Sequence, residues 1–276
     1  MVNTAHPTRL PAVVTSCRHQ SDVFHAYQVL VAGGYRPDHI VVMAYDDIAN
    51  NPENPMPGKV FNKPVRGPDV YSGVRIDYKG EQVNAANFLA VLEGNAAAVA
   101  NKGSGRVLAS GPSDKVFLFY SDHGAAGVLG MPSGPFLYAD ELLASIRRKF
   151  QRHGFKEMVM YIEACESGSM FEGLLDSNMA AYVTTAANAY ESSWATYCPE
   201  FFGAASAGTN ARPFPFFTCL GDLYSVAWLE DAEASDLTRE SLLQQYKAIK
   251  RRTSQNFTYE QGSHVMQYGA LDIDKE

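Results

Sequence analysis

Long hydrophobic runs are missing from this 276-residue chain: no stretch of about 18 consecutive apolar residues is present that would cross a bilayer as a helix. The amino-terminal MVNTAHPTRLPAVVTS also lacks the extended apolar core of a secretory signal, so no membrane partner is expected and any targeting segment would lie outside this chain. A basic surplus is missing too. Lys+Arg 23 against Asp+Glu 30 gives a net charge of −7, and the basic clusters Arg147-Arg148-Lys149 and Lys250-Arg251-Arg252 sit on helical patterns as solvated faces, which disfavours nucleic acid. Cysteine is scarce: Cys17, Cys165, Cys198 and Cys219 form no CxxC pair, so neither a zinc site nor a dithiol redox motif is indicated, and no metal or cofactor is expected. Internal repeats and low-complexity segments are absent as well.

What is present is core material. The chain is 46% hydrophobic and 12% aromatic, ample for a large packed core, and its length suggests one or two domains. Strand-like and helix-like patterns alternate, the signature of an α/β fold in which a mostly parallel central sheet of about six strands is flanked by helices. Helices are predicted from Ser21 to Ala32, with Asp22 favourable in the first turn and Gly33-Gly34 as the stop, from Asn84 to Ala100, and from Ala139 to His153. Further helices are predicted near Asp222 to Leu229 and from Leu237 to Thr253. Strands are predicted at His39 to Tyr45, Lys115 to Tyr120, Met158 to Ile162 and Ala180 to Thr185, with a late edge strand at His264 to Tyr268. The segment from Asp46 to Gly80, rich in proline, glycine and asparagine, reads as a long surface excursion.

In such sheets ligands gather beyond the carboxyl ends of the strands. There KVFLFY is followed by Ser121-Asp122-His123-Gly124, and VMYI by Glu163-Ala164-Cys165. A thiolate attacks a carbonyl, and an imidazole beside it serves as base and then as acid for the leaving amine, roles that Cys165 and His123 fit. Gly124 leaves its backbone N–H unobstructed, so with the Cys165 amide it can stabilise an oxyanion. The competing reading is a buried cysteine and an unrelated histidine. Glu163 poses a separate question, because a carboxylate behind a buried strand costs several kcal/mol unless paired or solvated. Cys198 and Cys219 flank PEFFGAASAGTNARPFPFFT and form either a bridge, which would remove roughly 3 kcal/mol of loop entropy from the unfolded chain, or two buried thiols. Asn256-Phe257-Thr258 is a glycosylation sequon, which agrees with an oxidising compartment.

The motifs Ser121-Asp122-His123-Gly124, Glu163-Ala164-Cys165-Glu166-Ser167-Gly168-Ser169-Met170, Thr184-Thr185-Ala186-Ala187-Asn188, Glu191-Ser192-Ser193-Trp194 and Leu220-Gly221-Asp222-Leu223-Tyr224-Ser225 stand in order along the chain. Together they resemble the legumain family of asparaginyl endopeptidases, especially its plant-type vacuolar processing forms. The resemblance implies a caspase-like fold in a single domain over residues 1–276, Cys165 as nucleophile, His123 as acid and base, and a pocket for asparagine built from Arg18, His19, Glu163, Ser193 and Asp222, with Ser192 and Trp194 beside it. Glu163 would then accept from the asparagine amide while Arg18 donates to its carbonyl oxygen, a two-signed arrangement suited to a group that is donor and acceptor at once. The resemblance also implies a Cys198–Cys219 disulfide, a vacuolar, lysosomal or secretory location, a monomer, and peptide or protein substrates with exposed asparagine. Full-length relatives continue into an inhibitory helical prodomain that this chain would lack.

Residues 1–17 depart from the family. Ser16-Cys17 stands where Asn-Tyr is usual, which puts Ser16 at the place of the residue that orients the catalytic histidine, and Leu10 to Thr15 is expected as a short strand. A relative that binds peptide without turnover is the alternative reading. Ala125-Ala126, where plant-type proteases commonly carry Gly-Pro, suggests transpeptidation beside hydrolysis.

Overall fold

The computed structural model describes residues 2–3, 17–64, 67–199, 216–258 and 262–275. In chain order the strands are β1 (Val2–Asn3), β2 (Lys115–Ser121), β3 (Gly124–Ala125), β4 (Val128–Leu129), β5 (Leu137–Tyr138), β6 (Glu157–Glu163), β7 (Ala181–Thr185), β8 (Ala195–Thr196), β9 (Gly221–Asp222) and β10 (Met266–Gly269). The helices are α1 (Cys17–Ala32), α2 (Ala85–Glu93), α3 (Ala139–Gln151), α4 (Leu223–Ala234) and α5 (Leu242–Thr253). The central sheet runs β1-β2-β6-β7-β10, parallel except for the antiparallel edge strand β10 on β7.

Alternation along β2 and β6 explains why both faces must be covered. Val116, Leu118 and Tyr120 share one core cluster with Met158, Met160 and Ile162, beneath α2 and α3. Phe119 and Tyr161 point the other way and join a second cluster with Phe24 of α1 and Trp228 of α4. Strands apolar on both faces read as continuous hydrophobic runs, which is how these two were found.

Several boundaries differ from expectation, each for a physical reason. Helix α1 starts at Cys17 rather than Ser21, because His19, Gln20, Ser21 and Asp22 are buried polar residues with internal partners. Asp22 therefore serves a hydrogen-bond network instead of a first helical turn. The helix expected over 84–100 stops at Glu93, where Gly94 takes a left-handed φ of 77°; Asn84 caps its start by accepting from the Asn87 amide. Helix α5 begins at Leu242, set by a capping box between Ser241 and Gln244. The segment from His39 to Tyr45 is buried over Ile40–Ala44; among the described residues it bridges Met43 to Tyr78, with Ala44 N–H donating to Tyr78 O at 3.1 Å and Asp77 N–H to Val42 O at 2.8 Å. The expected strand over Leu10 to Thr15 and the residue Ser16 lie outside the described residues. Among the described residues, no helix is long and apolar enough to cross a membrane.

Candidate active site

Parallel register brings the two candidate residues together. Ser121 pairs with Glu163, and the Asp122 amide extends the ladder by donating to Glu163 O at 3.0 Å. His123 and Cys165 thus stand equally far beyond one register pair, on strands that lie about 4.8 Å apart. Gly124 closes the approach: a Cβ there would fall 2.4 Å from Cys165 O and 2.9 Å from Ala164 Cβ. Gly124→Ala is accordingly expected to push the His123 segment off the Cys165 segment and cost on the order of 10²-fold or more in kcat/KM, read with a fluorogenic peptide. Activity retained within a few-fold would mean that this contact does not set the site.

After Cys165 the chain turns sharply. Glu166 adopts a left-handed φ of 47°, its amide donates to Glu191 O at 2.7 Å, and the Gly168 amide donates to Ala187 O at 3.1 Å. Cys165 is left half-buried, its Sγ 3.9 Å from Ser193 O and 4.0 Å from Ser193 Oγ. The His123 ring lies at 4.8 Å from that of His19, nearly perpendicular at 80°. Partial burial first, then the charges of His19 and Arg18, hold the His123 pKa down at about 4, so the solvent-accessible imidazole is neutral above that pH.

Beside this pair lies a buried polar cluster. Arg18 Nε donates to Asp222 Oδ1 at 2.6 Å, and His19 Nδ1 lies 2.8 Å from Asp222 Oδ2. Glu163 Oε2 accepts from the Ser225 amide and hydroxyl, both at 3.1 Å, while Oε1 has no partner among the described residues. Strands β8 and β9 pair Ala195 with Asp222, and the Leu223 amide donates to Trp194 O at 2.8 Å, so the 192–194 segment borders the cluster with Ser192 and Trp194 exposed. Ser193 faces Cys165. Every described residue predicted for the site therefore falls in one neighbourhood. The sequence reading missed Asp22, Ser121, Asn62 and Ser225. Asp22 was detectable, since Arg18 and Asp22 are spaced one helical turn apart on α1.

The electrostatics of the cluster are lopsided. Burial pushes Glu163 up to about 8, with Asp222 adding to the effect, and burial with the charges of Asp222 and Glu163 holds Asp22 well above the carboxylate range. Asp222 goes the other way: burial opposes ionisation, yet His19 and Arg18 hold its carboxyl below the ordinary range. The raised acids keep protons in the folded state that the unfolded chain has lost, so stability falls as pH climbs from near 4.5 towards 8 for Glu163. Asp222 contributes stability above its ordinary pKa of 3.8 and loses it only in stronger acid. The melting temperature is expected to drop by about 5 °C or more between about pH 5 and pH 8, less steeply in Glu163→Gln. A flat or rising profile by scanning fluorimetry would contradict this charge arrangement.

Two donor triplets bring ligand atoms within 4.8 Å, His19-Asp122-His123 and His19-Asp22-Asp222. Both depend on His19, whose Nδ1 is engaged by Asp222, and the Arg18 guanidinium beside Asp222 repels a cation from the second. Cys198 and Cys219 are joined as a disulfide.

A parallel sheet that carries a histidine and a cysteine to one rim defines a caspase-like fold with a cysteine–histidine pair. Among solved structures, caspase-1 from Spodoptera frugiperda matches with a TM-score of 0.53 over 98% of this chain and 84% of that one, at 11% identity, a likeness of fold alone. The chain belongs to the Peptidase C13 family, whose model matches residues 14–276. It is 52% identical over 259 residues to a vacuolar-processing enzyme of Phaseolus vulgaris and 52% identical over 260 residues to a legumain of Canavalia ensiformis. It is 53% identical over 260 residues to the vacuolar-processing enzyme beta-isozyme of Arabidopsis thaliana. Each match covers 94% of this chain and 51%, 53% and 51% of the relative respectively, so the chain spans about half the length of these relatives.

Proposed function

We propose that the chain is a cysteine endopeptidase that cleaves after asparagine. The observation that carries this reading is a buried pocket holding both signs, Arg18 on Asp222 at 2.6 Å and Glu163 with an unpartnered Oε1, beside the Cys165–His123 rim. Arg18 donates to the carbonyl oxygen of the asparagine side chain, and the NH₂ of a bound asparagine favours the carboxylate form of Glu163 that burial otherwise disfavours, so that Oε1 accepts from it. Cys165, deprotonated by His123, forms a bond from sulfur to the scissile carbonyl carbon. The carbonyl π electrons move to oxygen, where the Gly124 and Cys165 amides hold the oxyanion. As the carbonyl re-forms, the C–N bond breaks, and His123 passes the proton to the departing amine. Water, deprotonated by His123, then attacks the thioester; the C–S bond breaks, releasing the acid and restoring the thiol.

Aspartate fits the same pocket only when protonated. An ordinary aspartate, with a pKa of about 3.9, loses about tenfold of its neutral fraction per pH unit above that value. Cleavage after aspartate relative to asparagine is therefore expected to fall at least about 10²-fold between about pH 4.5 and pH 7. Efficient aspartate cleavage at neutral pH would contradict the pocket.

The thioester also accepts a peptide amine. Ala125 and Ala126 are small and exposed at the β3–β4 turn beside His123, which leaves room for an incoming amine. Transpeptidation is expected near neutral pH, with hydrolysis dominating in acid, where the amine is protonated. The names of the relatives support a vacuolar site of action. The test is mass spectrometry of a peptide with an internal asparagine, incubated with a free amino-terminal acceptor from about pH 5 to pH 8. Ligated and hydrolysed products support the reading. Hydrolysis alone retires the ligase part, and an inert peptide with unlabelled Cys165 retires the enzyme in favour of a peptide-binding relative.

A further inference from the structure

Behind the pocket, a hydrogen-bond path leads outward through residues remote in sequence. Asn62, on the excursion that follows Tyr45, shares the two hydrogens of Nδ2 among Asp22 Oδ1 at 2.7 Å, Leu220 O at 2.9 Å and Ser21 Oγ at 3.1 Å. The Asp22 carboxyl accepts from the Asp222 amide at 3.3 Å and from the Ser121 hydroxyl at 3.2 Å. On its other side, Asn62 Oδ1 meets His25 Nδ1 at 2.7 Å, and His25 Nε2 meets Glu233 Oε1 of α4 at 2.9 Å. Asn62, Asp22 and His25 are all buried, at 2%, 0% and 4% exposure, so none of these bonds is exchanged with bulk water at little cost.

Donor and acceptor logic leaves one orientation. A flipped Asn62 amide would set its carbonyl oxygen against the Leu220 carbonyl, which can only accept. With Nδ2 committed to that carbonyl, Oδ1 must face His25, whose Nδ1 therefore donates, while Nε2 lies 2.9 Å from Glu233 Oε1. The path has a definite sense: Glu233 orients His25, His25 orients Asn62, and Asn62 holds both Asp22 and the strand that carries Asp222. Gly221 shows how closely that strand is drawn in, since a Cβ there would lie 2.8 Å from Asn62 Nδ2 and 3.0 Å from Asp22 Oδ1.

We propose that Asn62, oriented by His25, is a positioning residue for substrate specificity: it fastens β9 against α1 and so fixes Asp222 and its partner Arg18 at the pocket for the residue before the scissile bond. Asn62 touches none of the reacting atoms. The proposal rests on the reading that Arg18 and Asp222 form that pocket.

The test uses the whole chain and a peptide library varied only at the residue before the cleaved bond. Wild-type enzyme is profiled first, and KM and kcat are then measured on its preferred residue for wild type, Asn62→Ala, Asn62→Asp and His25→Gln. Asn62→Asp keeps the shape and the acceptor towards His25 but loses the donor. Both Asn62 variants are expected to raise KM about tenfold or more with kcat changed less than about threefold, and His25→Gln to raise it about three- to fivefold. The rate at which iodoacetamide alkylates Cys165, a reaction that needs no pocket, is expected to stay within about twofold of wild type. A merely structural role would instead lower kcat and the alkylation amplitude together, in proportion to the folded fraction, and would overturn the proposal. So would an unchanged KM in a folded Asn62→Ala or Asn62→Asp; if these fail to fold, His25→Gln decides by the same two readouts. A wild-type preference for some residue other than asparagine overturns the proposed specificity but leaves the role of Asn62 to be judged on that residue.

Discussion

Cys165→Ala is expected to lower kcat/KM on an asparagine peptide by about 10⁴-fold or more while leaving the melting temperature nearly unchanged. The substitution removes the sulfur that would form the thioester and little else, since Cys165 is half-buried and, among the described residues, its Sγ makes only long hydrogen-bond contacts to Ser193 O and Oγ, at 3.9 Å and 4.0 Å. No other thiol stands ready to attack among the described residues. Cys17 is the other free thiol among the described residues, and burial, with the Asp47 charge added, pushes its pKa up to about 12. Residual turnover above a few per cent of wild type would mean that another group attacks the carbonyl. Coincident loss of the folding transition would mean instead that Cys165 is a core residue.

Arg18→Leu is expected to damage both specificity and stability. Its guanidinium is the cation 2.6 Å from Asp222, and Asp22 and Glu163 lie in the same buried cluster. Removing one partner of a buried pair leaves an uncompensated charge and costs about 3–5 kcal/mol. Loss of the donor to the asparagine carbonyl is expected to cost about 10²- to 10³-fold in kcat/KM. The sign with pH follows from linkage. Without Arg18, the folded state holds the Asp222 proton to a higher pH, so the variant gains stability relative to wild type as pH falls through the acid range. Urea unfolding at about pH 5 and pH 8 reads this directly; a larger deficit at the lower pH would contradict it.

Much of the catalytic rim was legible because it rests on local pattern. Two apolar runs end abruptly at Tyr120 and Ile162, and their parallel pairing makes His123 and Cys165 neighbours without any further information. The edge strand near His264 and the stop at Gly33-Gly34 were legible for the same reason, the latter confirmed by the Gly33 amide donating to Val29 O at 2.9 Å. The floor of the pocket was not legible. Asp22 looks like a favourable helix-start acid until its burial is known, and Asn62 reads as one polar residue in a long excursion, because its partners Asp22 and Leu220 are 40 and 158 positions away. His39 to Tyr45 has the composition of a sheet strand, and the backbone it meets among the described residues, at Asp77, Tyr78 and Gly80, lies at the far end of that same excursion. Composition reports how apolar a strand is but not which backbone it meets.

The most direct measurement of the central claim is a cleavage-site profile, obtained by digesting a mixture of denatured proteins with the enzyme at about pH 5.5 and sequencing the new ends by mass spectrometry. Cuts dominated by asparagine before the broken bond, with aspartate appearing only in acid and all cuts absent with Cys165→Ala, are the predicted result. Cuts spread over many residues, or centred on one whose side chain is not both donor and acceptor, would contradict it.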